Sequence, residues 1–198
     1  MRLEETIRRI LREETQGINK FIDTIDSKFR LSEDLKQFLI DFINKSNCKN
    51  IEFSGFKAPA FGFALHDGVL INKIILNNQL DFILFVIFHE VAHQYQFKKY
   101  GVEKMYECYV GDMSVEDAAK FMKKTEEVAD DFAARKMREL YKKGLIDRLY
   151  IAPQMYKNMP LSQLIFMISN YKNQMKSKNI TSPEKISEFF YNMVKSEL

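Results

Sequence analysis

Cysteine and histidine are scarce in this chain, with two and three among 198 residues, and tryptophan is absent. Cys48 and Cys108 have no paired spacing and form no CxxC pattern, so they read as reduced, structural thiols and not as a disulfide framework. A large charge imbalance is missing too. The net charge is +3, from 30 basic and 27 acidic residues, which argues against a dedicated nucleic-acid binder. The apolar run Phe82–Phe88 is far too short to span a bilayer, so no membrane partner is expected. The opening MRLEETIRRILREE interleaves Arg and Glu, unlike a secretory signal, and predicts a cytoplasmic protein. There are no internal repeats and no low-complexity segments. With 46% apolar and 29% charged residues, the chain has the composition of one soluble globular domain with a real core.

Two of the three histidines stand together. His89-Glu90-Val91-Ala92-His93 is the HExxH pattern of zinc-dependent hydrolases. Residues four apart share one face of a helix, so both imidazoles can converge on one ion. Glu90, one residue on, stands beside the ion, where it can take a proton from water. The flanks Ile87-Phe88 and Gln94-Tyr95 carry no charge, and Phe82–Phe88 is apolar on every face. Both features mark a central, buried helix over Asp81–Gly101.

The remaining periodicity predicts a mostly helical α+β domain over 1–198. N-terminal helices occupy 1–48: one over 1–15, ended or kinked at Gly17, one over 18–29, and one capped by Ser32. Residues 51–143 form a catalytic core. In it, Ile51–Phe53 reads as a short strand, and Ala60–Leu65 and Val69–Asn72 read as an antiparallel hairpin around His66-Asp67-Gly68. A hairpin just before the HExxH helix suits strand addition by an extended substrate. Asn77-Asn78 offers caps for that helix, and Lys98, Lys99 and Gly101 close it. Residues 102–113 read as little more than one helical turn. Ser114 with Asp117 opens a long helix to about Lys143, stopped by Gly144. C-terminal helices fill 150–198, over Leu161–Lys176 and from Ser182-Pro183 onward.

Catalytic zinc needs a third protein ligand. No histidine follows His93, so a carboxylate is expected. The long helix has an apolar stripe of Val115, Ala118, Ala119, Met122, Ala129, Ala133, Met137 and Leu140. Glu126 falls within it and Asp130 along its edge. A carboxylate on a buried face needs positive compensation. Glu126 is therefore the candidate ligand, and Asp130 a candidate to hydrogen-bond a ligand histidine and fix its tautomer. Salt bridges to Lys98 or Arg135 are the plainer use of the same two acids. Glu127 and Asp131 fall on the opposite face with the basic residues.

HEVAH followed by Glu126-Glu127-Val128-Ala129-Asp130-Asp131-Phe132-Ala133-Ala134 resembles the gluzincin pattern, HExxH then ExxxD. It is similar to the ImmA/IrrE family of small intracellular zinc metallopeptidases over roughly residues 60–140. The resemblance implies a minimal zincin-like fold, zinc bound by His89, His93 and Glu126, Glu90 as general base, Asp130 behind the ligands, and a protein or peptide substrate. Three features depart from it. Arg135-Lys136-Met137-Arg138 stands where a leucine-rich segment ending in Pro is usual. No helix-turn-helix module is recognisable, and no downstream histidine is present to stabilise an oxyanion. Tyr150, Tyr156 and Tyr171, or His66 at the hairpin tip, are the candidates for that last role. Two other readings remain open. One is a metal-binding regulatory module without catalysis. The other is a nucleic-acid contact through the acid-free run 148–178, with Arg148, Lys157, Lys172, Lys176 and Lys178 among tyrosines.

Overall fold

The computed structural model of the chain describes residues 17–46, 48–56, 60–150 and 158–194. Within them the fold is mostly helical α+β with one small sheet. Helix α1 covers 17–29, with Gly17 at its described start; the helix expected over 1–15, and with it the end or kink expected at Gly17, lies outside the described residues. Helix α2 (Glu33–Lys45) is capped by Ser32, whose Oγ accepts the Leu35 N–H.

Strands β1 (Asn50–Ser54), β2 (Gly62–Leu65) and β3 (Gly68–Asn72) form a sheet in the order β1-β3-β2. β2 and β3 are the expected antiparallel hairpin, with Leu65 opposite Gly68 across the His66-Asp67 turn. β1 pairs with β3 in parallel, Ile51 opposite Val69, so the sheet is mixed and not purely antiparallel. β3 is buried along its whole length. Its unbroken apolar run is that of a strand covered on both faces. Period-2 alternation sends Val69 and Ile71 into one core cluster and Leu70 into another.

Helix α3 (Leu80–Tyr100) is buried at every position from Ile83 to Gln94. Asn77 and Asn78 do not cap it. They close a 3-10 turn over Lys73–Asn77, and Gln79 takes the N-cap position without a side-chain bond. Gly101 ends α3 with φ +85°, a backbone region that side-chain-bearing residues rarely adopt. Helix α4 (Val102–Val110) is longer than the single turn expected. Its Met105, Tyr106 and Cys108 are buried at helical spacing within a segment too short for the pattern to stand out. Helix α5 (Val115–Lys142) starts where Ser114 Oγ accepts the Asp117 N–H at 3.1 Å. Helices α6 (Leu161–Ser177) and α7 (Pro183–Val194) complete the described chain.

The main cluster joins α1, α2, β1, the first half of α3 and the end of α5. Phe88 is fully buried there, edge-on to Phe42 at 5.0 Å and to Phe38 at 6.4 Å. A second cluster joins β2, α4, α6 and α7, and a third joins α4, α5 and α6. Cys48 and Cys108 are free and buried, and burial pushes both thiols up to about 12. Among the described residues, no helix is long and apolar enough to cross a membrane.

Candidate metal centre

α5 packs along α3, and that contact builds the site. One helical turn separates His89 from His93, so both rings project from the same side of α3. Glu126, within the buried stripe of α5, meets them. His89 Nε2 lies 3.1 Å from Glu126 Oε2, His93 Nε2 lies 3.6 Å from the same oxygen, and the two Nε2 atoms are 3.3 Å apart. A tetrahedral ion with bonds of about 2.0–2.1 Å spaces its ligands by about 3.3–3.4 Å. Among the described residues, His89, His93 and Glu126 are the one group of three such side chains close enough to hold an ion.

The outer hydrogen bonds decide what this triangle is made of. His89 Nδ1 lies 2.8 Å from Asp130 Oδ1. A carboxylate only accepts, so that nitrogen carries the proton. His93 Nδ1 lies 2.9 Å from Gln96 Oε1, and Gln96 Nε2 donates to the Thr125 carbonyl at 2.7 Å. The amide is thereby oriented with its oxygen toward the ring, and His93 also donates from Nδ1. In their neutral forms both histidines then turn bare Nε2 lone pairs toward a carboxylate oxygen. Three acceptors converge with no donor among them, which is repulsive unless a cation or extra protons stand at the centre.

The charges say the same. Burial opposes a charge on His89, but the Asp130 and Glu126 carboxylates outweigh it and hold its pKa well above the ordinary value. Burial likewise opposes a charge on His93, and Glu126 raises it. Glu126 resists its own burial because the two imidazoles hold its carboxyl far below the usual range. The site therefore attracts positive charge, and solvent reaches its edge. Side-chain exposure is 10–11% for the two histidines, 18% for Glu126 and 20% for Asp130.

Glu90 belongs to the same turn but ligates nothing. Burial pushes its pKa up, and the two imidazoles pull part of it back. β2 crosses directly over it: a methyl group on Gly62 would come within 2.6 Å of Glu90 Oε1. Gln94 Nε2 fastens the hairpin to α3 through the carbonyls of Leu65, at 2.6 Å, and Gly68, at 3.0 Å. The strand next to Glu90 is thus anchored to the helix that carries it.

The remaining candidates separate. Tyr150 packs edge-on to Phe82 at 5.2 Å and tilted on Phe85 at 5.3 Å, and Phe85 lies 6.4 Å from the His89 ring. It stands one ring away from the centre. Partial burial, then the Asp81 and Asp130 carboxylates, raise its pKa, so the phenol stays a donor. Tyr156 lies outside the described residues. Tyr171 packs on Tyr109 and Phe190 in the second cluster. His66 Nδ1 lies 2.7 Å from Ser187 Oγ of α7 and ties the hairpin tip down. Glu126 and Asp130 pair with the histidines and not with Lys98 or Arg135. Of the basic run 148–178, Lys157 lies outside the described residues, Arg148 pairs with Asp81, and Lys172 donates to the Gly111 and Met113 carbonyls.

Gln96, Gln94 and Gly62 were not foreseen. Gln96 sits three residues after His93 on the same helix face, and a glycine inside a strand signals close approach of another group. Both signals were present in the sequence. No protein-family model, curated protein or solved structure matches the chain, so the reading of this centre stands on its own geometry.

Proposed function

We propose that the chain is a zinc-dependent metallopeptidase that hydrolyses peptide bonds in a protein or peptide substrate, with a zincin-like arrangement similar to the ImmA/IrrE family. The observation that carries this reading is the triangle of three acceptor atoms with cation spacing, His89 Nε2, His93 Nε2 and Glu126 Oε2, beside a carboxylate that takes no part in it. Two imidazoles and one carboxylate suit zinc, and leave a position for water or substrate. The free, buried thiols accord with a reducing, cytoplasmic setting.

A zinc ion held there would supply Lewis acidity, polarising a substrate carbonyl and making water easier to deprotonate. Glu90 accepts the proton from the attacking water and delivers it to the departing amine. Its raised pKa suits both halves of that task. Asp130 and Gln96 keep the Nδ1 protons in place, so that both Nε2 atoms stay free to ligate. β2 is an edge strand and passes beside Glu90, where an extended substrate backbone can align with it. Of the tyrosines singled out from the sequence, Tyr150 is the one described beside the centre, and it would donate to a developing oxyanion.

The test is hydrolysis of a peptide library by zinc-loaded protein. Cleavage should stop on chelation and return with zinc. Glu90→Gln should keep the metal and lose about 10²–10⁴-fold in rate. Zinc-loaded protein that cleaves nothing, or a Glu90→Gln variant of undiminished activity, overturns the reading. Glu90 is only 8% exposed beneath β2, which supports a second reading as a metal-binding regulatory module. A biological effect unchanged in Glu90→Gln would favour that one.

A further inference from the structure

Asp81 stands in the first turn of α3, two turns ahead of His89, and the proposed chemistry makes no use of it. Its side chain is 6% exposed. Oδ1 accepts the Phe82 N–H at 3.0 Å. Oδ2 is closed off from solvent and accepts no hydrogen bond among the described residues. Arg148 Nε lies 3.3 Å from it, an ion-pair contact without hydrogen-bond geometry. A buried carboxylate oxygen lacking a donor is costly, and a helix N-terminus relieves only part of that cost.

Asp81 is also a wall of a cavity of about 400 Å³, between the α1–α2 connection, the start of α3 and the chain after α5. Small-molecule sites commonly measure about 300–1,000 Å³. Buried Leu31 and Ile146, with half-buried Leu80, give the cavity apolar walls. Arg30 and Arg148 stand exposed beside them, and the Arg148 side chain is 65% exposed. The cavity thus combines a buried acceptor, apolar sides and exposed cations at its mouth.

We infer that this cavity binds a small zwitterion with an apolar body, of the class of the apolar α-amino acids. The ammonium group donates to Asp81 Oδ2, which gains the hydrogen bond it lacks. The side chain rests on Leu31, Leu80 and Ile146. The carboxylate meets Arg148, which turns away from Asp81, and Arg30. A ligand carrying only an anion would face the buried Asp81 charge, and one carrying only a cation would face both arginines. The zwitterion is the class that satisfies both signs.

The chain is titrated with L-leucine, with leucinamide, which lacks the carboxylate, and with 4-methylpentanoate, which lacks the amine. Calorimetry and the methyl NMR signals of Leu31 and Ile146 are followed. L-leucine should bind and shift those signals, and the other two should bind at least about tenfold more weakly. Asp81→Asn should lose binding by about tenfold or more. Arg148→Ala, at an exposed side chain, provides an independent variant and should weaken L-leucine but strengthen leucinamide, which then faces one arginine in place of two. Absence of L-leucine binding, equal binding of 4-methylpentanoate, or a folded Asp81→Asn that binds as before overturns the inference. A response that disappears in His93→Ala and persists in Asp81→Asn places the amino acid on the metal centre and overturns it equally. None of these outcomes depends on peptide hydrolysis.

Discussion

Gly62 has no side chain where Glu90 already stands. A Cβ at Gly62 would lie 2.6 Å from Glu90 Oε1 and 2.7 Å from its Cδ. The atoms in the way are Glu90 Cγ and the carboxyl group beyond it, so the added methyl must turn the whole Glu90 side chain aside. Gly62→Ala should therefore fold normally, bind zinc as before, and lose about 10²-fold or more in hydrolysis because its general base is displaced. Metal content measured beside kcat checks this. A Gly62→Ala protein of full activity would show that the position of Glu90 is not critical.

Asp130 touches the triangle through His89, whose Nδ1 it holds at 2.8 Å. Asp130→Asn keeps the shape and removes the charge. Zinc affinity should fall by about 10–100-fold, the usual consequence of losing such a support. Competition with a chelator of known affinity measures it. Glu126→Gln should lose more, because a ligand is lost along with a charge.

Zinc and protons should stabilise the site in opposite directions along the pH scale. In metal-free protein His89 and His93 have pKa values raised above the ordinary 6.5. Their contribution to stability is fully present below that value and is lost as pH rises through the higher folded-state values. Zinc binding requires both Nε2 atoms deprotonated, so stabilisation by zinc grows over the same range. Thermal melts in chelator and in zinc, between pH 5 and 9, should diverge as pH increases. Parallel curves would count against a metal at this site.

Phe88 immediately precedes the metal motif and fills the main cluster against Phe38 and Phe42. Phe88→Ala should cost about 3–5 kcal/mol of stability in metal-free protein. Zinc should restore part of that, because it binds only the folded state. Denaturant titration with and without zinc measures both effects.

Much of this centre was legible from two periodicities. Spacing of four on one helix placed His89 beside His93, and the α5 stripe singled out Glu126 over Glu127 and Asp130 over Asp131. Both signals are local, and a helix converts them directly into faces. The parts that were not legible depend on contacts distant in sequence. The parallel pairing of β1 with β3 follows from no alternation within Asn50–Ser54. Gln94 reaches back 29 and 26 residues to the hairpin carbonyls. His66 looked available at a turn, but α7 takes it through Ser187, 121 residues on. Tyr171, a candidate donor in the helix after Pro160, has its ring packed into the second cluster.

The most direct measurement is an anomalous difference map at the zinc edge from crystals of the zinc-loaded chain. One peak within about 2.0–2.2 Å of His89 Nε2, His93 Nε2 and a Glu126 carboxylate oxygen is the expected result. A peak coordinated by Glu127, by no residue of α5, or no peak between the two histidines at full zinc occupancy would contradict it.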